Sequence, residues 1–321
     1  MTAPRLLITR PLPDRVVAAA RAAGFDVTLR AHTTPMTPDE LTDSLAQADA
    51  VLPTLGDLYS AGVFAAVPAP RARMLANFGV GYNHIDVAAA RAAGITVTNT
   101  PGAVTDATAD IAMTLMLMST RRAAEGERLV RAGAWQGWHP TQMLGLHLSG
   151  KTLGIVGMGR IGRAIARRAQ AGFGMRIVYL NRSEVADTGV PAERMADLAG
   201  LMAASDVVVV AVPGGDGTRH LIDAAALASL RPHAHLVNIA RGDVVDEAAL
   251  IDALEGRRIG GAGLDVYEHE PVVPERLRAL DNVVLLPHLG TAALEVREAM
   301  GLMAVDNLGA FFAGEAPPNA V

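Results

Sequence analysis

Residues 152–162 decide the fold, and they read Thr152-Leu153-Gly154-Ile155-Val156-Gly157-Met158-Gly159-Arg160-Ile161-Gly162. A short apolar strand runs into a G-x-G-x-x-G loop, and a helical stretch follows. A dinucleotide site needs this order. Gly157 permits the tight turn, Gly159 lets the backbone approach a pyrophosphate at the helix N-terminus, and Gly162 allows close helix–strand packing. The alternative is a glycine-rich turn that binds nothing.

Strand-sized apolar runs alternate with alanine-rich helical stretches on both sides of this loop. The alternation indicates βαβ units and parallel sheets. Strands are predicted near Leu6–Thr9, Asp26–Leu29, Ala50–Leu52, Met74–Ala76 and Thr96–Thr98, and again near Thr152–Val156, Arg176–Leu180, Asp206–Ala211, His235–Ile239, Gly261–Leu264 and Val283–Leu286. Five plus six strands exceed one compact sheet, and 321 residues suit two domains. We therefore expect an α/β protein with two doubly wound parallel-sheet domains.

Three helical features connect these sheets. Residues 106–122 are apolar almost all round, which predicts a buried helix packed between the two sheets. Leu294–Phe312 is a second long helix, which could return to the first domain. Residues 18–24 and 88–94 share an alanine-rich pattern that ends at a glycine before a strand, which predicts one local solution used twice.

Composition excludes several classes of protein. The chain has no cysteine, which rules out disulfides, thiolate metal sites and a cysteine nucleophile. Lys151 is the only lysine, so Schiff-base chemistry would have to use that residue. The net charge of −5 argues against nucleic-acid binding. No apolar run reaches the roughly 20 residues of a membrane span, and no signal peptide is visible, so a cytoplasmic location is expected.

The residues after the second strand of the dinucleotide domain bear on cofactor choice. An NAD site usually ends this strand with an acidic residue that accepts a hydrogen bond from the ribose 2′-hydroxyl. Here the sequence is Asn181-Arg182-Ser183. Arg182 can pair with a 2′-phosphate and Ser183 can donate to it, which favours NADP while leaving NAD possible. The alternative is that Arg182 is a solvated loop residue.

Three further segments follow predicted strands at the edge where open α/β sheets bind ligands. They are residues 237–242 (Val-Asn-Ile-Ala-Arg-Gly), 263–271 (Gly-Leu-Asp-Val-Tyr-Glu-His-Glu-Pro) and 285–290 (Leu-Leu-Pro-His-Leu-Gly). Together they supply an arginine, carboxylates and a histidine.

With these motifs the chain resembles the D-isomer-specific 2-hydroxyacid dehydrogenases, and most of all their glyoxylate/hydroxypyruvate reductase branch. The resemblance covers essentially the whole chain, including Asn77-Phe78-Gly79-Val80-Gly81. It implies that Arg241, Glu270 and His288 are catalytic. It also implies a flavodoxin-like substrate domain (1–102 plus 292–321), a Rossmann cofactor domain (103–291), a cleft between them and a homodimer.

The resemblance extends to the binding residues. It implies that the Val80 and Gly81 amides hold the substrate carboxylate and that Asp265 accepts from the nicotinamide carboxamide. Leu55 and Trp138 are expected to shape the substrate pocket, although Trp138 could equally serve dimer packing. The remaining predicted cofactor residues are Thr108, Arg160, Ile161, Val212, Pro213, Thr218, Ile239, Ala240 and Gly290. The family pattern commonly has aspartate where this chain has Asn83.

The chemistry of the three catalytic candidates is intelligible on its own. Reduction of a 2-keto acid needs a cation that holds the carboxylate and polarises the carbonyl, which suits Arg241. It also needs a proton donor, which suits His288, and an anion that keeps the imidazole charged, which suits Glu270. Taken singly, each has a plainer interpretation as an ion pair, a solvated loop residue or a structural histidine.

Other interpretations remain open at this point. The substrate could be a bulkier 2-keto acid, or the chain could be a dinucleotide-sensing binding protein related to corepressors. His233 and His235 suggest a metal site, but no acidic or cysteine residue flanks them at ligand spacing and His235 should point away from its strand. No metal is therefore expected. Asp243, Asp246 and Glu247 are interpreted as the cap and first-turn acids of the next helix.

Overall fold

The computed structural model describes residues 2–321. This part of the chain forms two compact units. The first unit ends at Val104 and resumes at Ala292–Val321, and the second is Thr105–Thr291. No helix in residues 2–321 combines the length and the apolar character needed to cross a membrane.

The first unit is built on a five-stranded parallel sheet of order β2-β1-β3-β4-β5. Its strands are β1 (Arg5–Ile8), β2 (Asp26–Leu29), β3 (Ala50–Leu52), β4 (Met74–Ala76) and β5 (Thr96–Thr98). Apolar clusters cover both faces of the sheet, as the continuous apolar runs predict. All five predicted strands are present, the first shifted by one residue.

The helices of the first unit are α1 (Asp14–Ala22), α2 (Pro38–Gln47), α3 (Ala61–Ala65), α4 (Val87–Ala92) and α12 (Leu294–Phe312). Helices α1 and α4 each run into a glycine with positive φ, +89° at Gly24 and +75° at Gly94, before the next strand begins. The predicted repeated helix–glycine–strand solution is therefore confirmed. Helix α12 packs tightly on α1, because a Cβ on Gly301 would lie 2.4 Å from Val16 Cγ2.

The second unit is built on a seven-stranded parallel sheet of order β12-β11-β10-β9-β6-β7-β8. Its strands are β6 (Thr152–Val156), β7 (Arg176–Leu180), β8 (Ala192–Arg194), β9 (Val207–Val210), β10 (His235–Asn238), β11 (Gly261–Leu264) and β12 (Val283–Leu285). The strand order reverses between β6 and β9, the position where open sheets of this kind bind ligands outside the carboxyl ends of their strands.

Strand β8 is absent from the sequence-based prediction, which is wrong by one strand here. The strand is three residues long, lies at the sheet edge and pairs with β7 through Ile177 to Tyr179. Its Ala192-Glu193-Arg194 sequence is polar and mostly exposed, so no alternation of apolar side chains reveals it.

The helices of the second unit are α5 (Thr105–Thr120), α6 (Ala123–Arg131), α7 (Arg160–Phe173), α8 (Leu198–Ala204), α9 (Ala224–Ala228), α10 (Glu247–Glu255) and α11 (Glu275–Arg278). Helix α5 is the predicted apolar helix, and it packs against α7, β10 and β11. Contact with β11 is close because a Cβ on Gly263 would lie 2.9 Å from Leu115 Cβ. Asp246 caps α10 as predicted, accepting from the Ala249 amide at 3.0 Å.

Candidate active site

The glycine loop has the geometry that a dinucleotide requires. Gly157 has φ +101°, and a Cβ there would lie 2.7 Å from the Ala211 carbonyl oxygen. A Cβ on Gly162 would lie 2.2 Å from the Gly157 carbonyl oxygen, so only glycine lets α7 pack this close. A Cβ on Gly159, the N-cap of α7, would meet nothing within 4 Å. The helix N-terminus is therefore open at Gly159, which the close approach of a phosphate group requires.

The turn after β7 is braced rather than loose. Asn181 accepts from the Met158 amide at 3.2 Å and donates to the Ser183 carbonyl at 2.9 Å, so it ties this turn to the glycine loop. Arg182 is exposed, and within residues 2–321 its guanidinium makes no hydrogen bond or ion pair. Arg194 on β8 donates to the Asn181 carbonyl at 3.3 Å. Sequence reasoning missed this second guanidinium because it missed β8.

The remaining predicted cofactor residues lie at the carboxyl ends of the same sheet. Val212, Pro213 and Thr218 belong to the loop after β9, where Thr218 donates to the Pro213 carbonyl at 2.7 Å. Ile239 and Ala240 are buried directly after β10. Arg160 and Ile161 open α7, and the Thr108 hydroxyl donates to the Gly290 carbonyl at 3.2 Å.

Arg241 is held in place by the turn that carries it. The Asn238 side chain donates to the Arg241 carbonyl at 2.9 Å and accepts from the Ala240 amide at 3.0 Å. A Cβ on Gly214 would lie 2.6 Å from Arg241 Cγ, so the loop after β9 leaves room for this side chain. Burial lowers the pKa of the Arg241 guanidinium, and the negative charge of Glu270 opposes that shift.

His288 and Glu270 form a hydrogen-bonded pair. His288 Nδ1 lies 2.9 Å from Glu270 Oε2, and Glu270 Oε1 accepts from the Tyr267 amide at 3.1 Å. Burial alone would raise the pKa of Glu270, but these two hydrogen bonds and the charges of His288 and Arg241 lower it overall. Within the described chain His288 Nε2 makes no hydrogen bond, which leaves that nitrogen free for a ligand.

Asp265 fixes the loop that carries His288. It is 2% exposed, and its carboxylate accepts from the Leu289 amide at 2.6 Å and the Gly290 amide at 2.8 Å. The Asp265 carbonyl also accepts from the His288 amide at 2.9 Å, which helps to hold His288 at φ +55°. Burial raises the pKa of Asp265 despite these bonds. The contact predicted for it, a nicotinamide carboxamide, stays a prediction.

The predicted substrate residues of the first unit lie after β3 and β4. Asn77 donates to the Gly79 and Gly81 carbonyls at 3.0 Å, and Asn99 donates to the Val80 carbonyl at 2.9 Å. These bonds occupy carbonyl groups, whereas the Val80 and Gly81 amides donate to nothing in residues 2–321. Such free amides suit an anion. Leu55 is half-buried in the loop after β3.

Trp138 lies in the aromatic segment between α6 and β6, which has no regular secondary structure. It is 79% exposed, and Trp135 and Leu144 of the same segment are also exposed. The second unit by itself gives Trp138 no buried environment.

The two histidines considered for a metal site have other partners. His233 Nε2 lies 2.8 Å from Oδ1 of Asp206, the residue just before β9. The histidine therefore has an acidic partner, although none is close to it in the sequence. His235 projects from β10 into the protein, with Nδ1 2.7 Å from Ser119 Oγ. Burial lowers the pKa of His235 to about 4. No group of three metal-ligating side chains occurs in residues 2–321.

The carboxyl edge of the second sheet thus combines three groups suited to reducing a carbonyl. A half-buried guanidinium can bind a carboxylate, an imidazole with a free nitrogen can exchange a proton, and a carboxylate of lowered pKa supports the imidazole. The glycine loop lies at the same edge.

Comparison with known proteins agrees with this combination. A family model described as D-isomer specific 2-hydroxyacid dehydrogenase, NAD binding domain, matches residues 113–290. The chain is 44% identical to the glyoxylate reductase of Thermococcus onnurineus, over 99% of this chain and 96% of the relative.

Solved structures give the same result over the full length. The NADPH-dependent glyoxylate/hydroxypyruvate reductase of Sinorhizobium meliloti, in complex with NADP and malonate, is 37% identical with a TM-score of 0.87, and the match covers 99% of this chain and 96% of that one. A glyoxylate reductase from Paecilomyes thermophila is 34% identical with a TM-score of 0.87, covering 100% and 99%. The chain belongs to the D-isomer-specific 2-hydroxyacid dehydrogenase family, in its glyoxylate reductase branch.

Proposed function

We propose that this protein is an NAD(P)H-dependent reductase of small 2-keto acids, with glyoxylate and hydroxypyruvate as its substrates. The observation that carries the proposal is the His288–Glu270 pair, on the same sheet edge as the half-buried Arg241. The names of its relatives support the substrate class. An intact set of catalytic groups favours an enzyme over a dinucleotide-sensing binding protein.

Arg241 is the main substrate-binding residue in this proposal. Its guanidinium binds the substrate carboxylate and donates to the carbonyl oxygen, where negative charge develops during reduction. Burial strengthens both interactions because little water screens them. The negative charge of the nearby Glu270 carboxylate stabilises the charged guanidinium.

His288 is the proton donor. When bound, the reduced nicotinamide supplies the hydride that reaches C2 of the keto acid. Nε2 of His288 protonates the carbonyl oxygen, and Glu270 at Nδ1 holds the imidazole in orientation and stabilises its charged form. In the oxidation direction the neutral His288 takes the hydroxyl proton.

The glycine loop and its neighbours hold the cofactor in this proposal. The N-terminus of α7 would hold the pyrophosphate, and Asp265 would accept a hydrogen bond from the nicotinamide carboxamide. Arg182 and Ser183 bind a 2′-phosphate, which makes NADPH the preferred cofactor. The unpaired guanidinium of Arg182 supports this preference, and the Arg194 guanidinium adds positive charge beside the same turn.

The preference is tested by measuring kcat/KM for NADPH and NADH in the wild type and in Arg182→Ala. The wild type should prefer NADPH, and the variant should lose about tenfold or more with NADPH while changing little with NADH. Arg176→Ala, which breaks an exposed pair with Glu193, is the control. A wild type that prefers NADH would contradict the assignment of Arg182.

The free amides of Val80 and Gly81 are proposed to hold the substrate carboxylate, and Leu55 to limit substrate size. A panel of 2-keto acids of increasing size, assayed with both cofactors, tests the substrate class. We expect glyoxylate and hydroxypyruvate to give the highest kcat/KM. A clear preference for a bulkier acid would replace this substrate assignment, and no turnover of any 2-keto acid would contradict the proposal.

We also propose that the protein is a homodimer. The exposed Trp138, Trp135 and Leu144 support this, because they occur together in one segment before β6 and groups of exposed apolar side chains mark interfaces. Light scattering should give twice the mass of one chain, and Trp138→Ser with Leu144→Ser should lower it. A monomeric wild type would contradict the dimer.

A further inference from the structure

A second histidine–glutamate pair lies next to the first. His220 Nε2 is 2.8 Å from Glu268 Oε1, and Arg219 Nη2 is 3.2 Å from the same oxygen. The Glu268 side chain is only 11% exposed, so the pair is shielded from solvent on the glutamate side. Glu268 and the catalytic candidate Glu270 are separated by one residue, on the loop after β11.

His220 has a backbone conformation that needs support. Its φ is +49°, in the left-handed region that non-glycine residues seldom occupy. Its amide donates to the Asp243 carbonyl at 2.7 Å, in the turn that follows Arg241. The side chain is held by Glu268 at the same time. His220 therefore joins the loop after β9 to two other loops.

The loops after β10 and β11 also touch directly. A Cβ on Gly242 would lie 1.8 Å from the Tyr267 carbonyl carbon, so the two backbones are in contact. The Glu268 amide donates to Glu247 Oε2 at 3.4 Å, at the start of α10. Burial raises the pKa of Glu247, and its main polar partner is this amide. Glu268 lies on the loop after β11 and contacts both the loop after β9 and the start of α10, which follows the turn after β10.

Each of these loops carries residues of the proposed site. The loop after β9 holds Val212, Pro213 and Thr218, the turn after β10 holds Arg241, and the loop after β11 holds Glu270. Thr218 is two residues from His220, and its hydroxyl closes the loop on Pro213. Loss of the Glu268 carboxylate leaves Arg219 and His220 without the acceptor that joins this loop to Glu270.

We propose that Glu268 is a positioning residue, which locks the cofactor-binding loop after β9 against the loop that carries Glu270 through its contacts with His220 and Arg219. The inference rests on the proposed function, because it assumes that the loop after β9 binds the reduced dinucleotide. Glu268 acts through its neighbours and touches neither substrate nor cofactor. Removal of its carboxylate raises the Kd for the cofactor more than it lowers kcat.

The test compares Glu268→Ala, Glu268→Gln and Glu255→Ala, a control that breaks an exposed pair with Arg276. The Kd for NADPH is measured by fluorescence, alongside kcat with glyoxylate at saturating NADPH and the thermal midpoint. We expect Glu268→Ala to raise Kd about tenfold, and Glu268→Gln to restore most of the loss because its amide oxygen still accepts both bonds. Glu255→Ala should match the wild type.

His220→Asn separates the contact from the backbone strain. Asparagine tolerates the left-handed conformation but is too short to reach Glu268. Its Kd should rise, but by less than that of Glu268→Ala because Arg219 still pairs with Glu268, and the double variant should be no worse than Glu268→Ala. The His220→Asn variant also tests the proposal if Glu268→Ala fails to fold.

Two results would overturn the inference. One is a Kd for NADPH in Glu268→Ala and His220→Asn within about twofold of the wild type, with kcat unchanged. The other is multiplication of the two single effects in the double variant. A wild type that binds neither NADPH nor NADH would instead overturn the proposed function, so the two failures are distinguishable.

Discussion

The two edges of the second sheet both carry a histidine beside a carboxylate, at similar distances. At the carboxyl edge His288 lies 2.9 Å from Glu270, and at the amino edge His233 lies 2.8 Å from Asp206. Distance alone therefore does not mark a catalytic pair. The surroundings of each carboxylate tell the pairs apart.

Asp206 makes hydrogen bonds that hold neighbouring strands of the sheet together. Its second oxygen accepts from the Thr152 amide at 2.8 Å, and its carbonyl accepts from the His235 amide at 3.1 Å, so it joins the starts of β6, β9 and β10. Burial raises the pKa of Asp206, but the Thr152 amide and His233 lower it overall. Glu270 instead pairs with a histidine near the half-buried Arg241, whereas the arginine beside Asp206, Arg231, is exposed and lies 3.5 Å away. A histidine with a free nitrogen and a neighbouring arginine occur at both edges, and the difference is that the arginine at the carboxyl edge is largely withdrawn from solvent whereas Arg231 is exposed.

The largest difference between the edges should appear when each histidine is removed. His288→Ala should lower kcat for glyoxylate by about 10²–10⁴-fold, because it removes the general acid. His233→Ala should leave kcat nearly unchanged and lower the thermal midpoint. Equal kcat values for the two variants, assayed by NADPH oxidation, would remove the distinction between the edges.

Removal of each carboxylate's charge should have a smaller and more specific effect. Glu270→Gln should lower kcat about tenfold and move the reduction pH profile to lower pH, because a neutral amide no longer stabilises the charged imidazole. Asp206→Asn should leave that profile in place and reduce stability. A Glu270→Gln profile that coincides with the wild type would contradict the proposed support of His288.

The last difference concerns stability at the amino edge and leaves the reaction rate unchanged. Burial lowers the pKa of His235 to about 4, below its ordinary value of about 6.5. The unfolded chain therefore takes up this proton more readily, and stability is lost as pH falls from about 6.5 to about 4. His235→Asn keeps a polar group near Ser119 but cannot take up this proton. The variant's free energy of unfolding should therefore fall by up to about 3 kcal/mol less than that of the wild type over this pH range.

Urea unfolding of wild type and His235→Asn across this pH range measures the effect. The difference between the two free energies of unfolding should change with pH. A difference that stays constant from about pH 7 to about pH 4 would show that His235 is not the group responsible.

The sequence predicts most of the fold because parallel sheets leave a strong local signal. Buried strands such as Val207–Val210 appear as continuous apolar runs, and glycines with positive φ mark the helix ends. The glycine loop and the catalytic candidates are visible because each follows such a strand. Strand β8 is not, since its exposed polar residues follow no apolar pattern.

The contacts that organise the site could not be predicted in this way. The bond between His220 and Glu268 joins residues 48 positions apart, and Asp206 reaches His233 across 27. Such pairs depend on which strands lie side by side, and no local pattern encodes that. The same holds for Asn99, which follows β5 and whose side-chain amide donates to the carbonyl of Val80, after the neighbouring strand β4.

A double-mutant cycle on His288 and Glu270 tests the central claim most directly, namely that the two residues act as one acid–base unit. The rate of glyoxylate reduction at saturating NADPH is measured for His288→Ala, Glu270→Gln and the double variant. Because Glu270 acts through the imidazole, the double variant should be as slow as His288→Ala and no slower. A double variant in which the two single losses multiply would contradict the account.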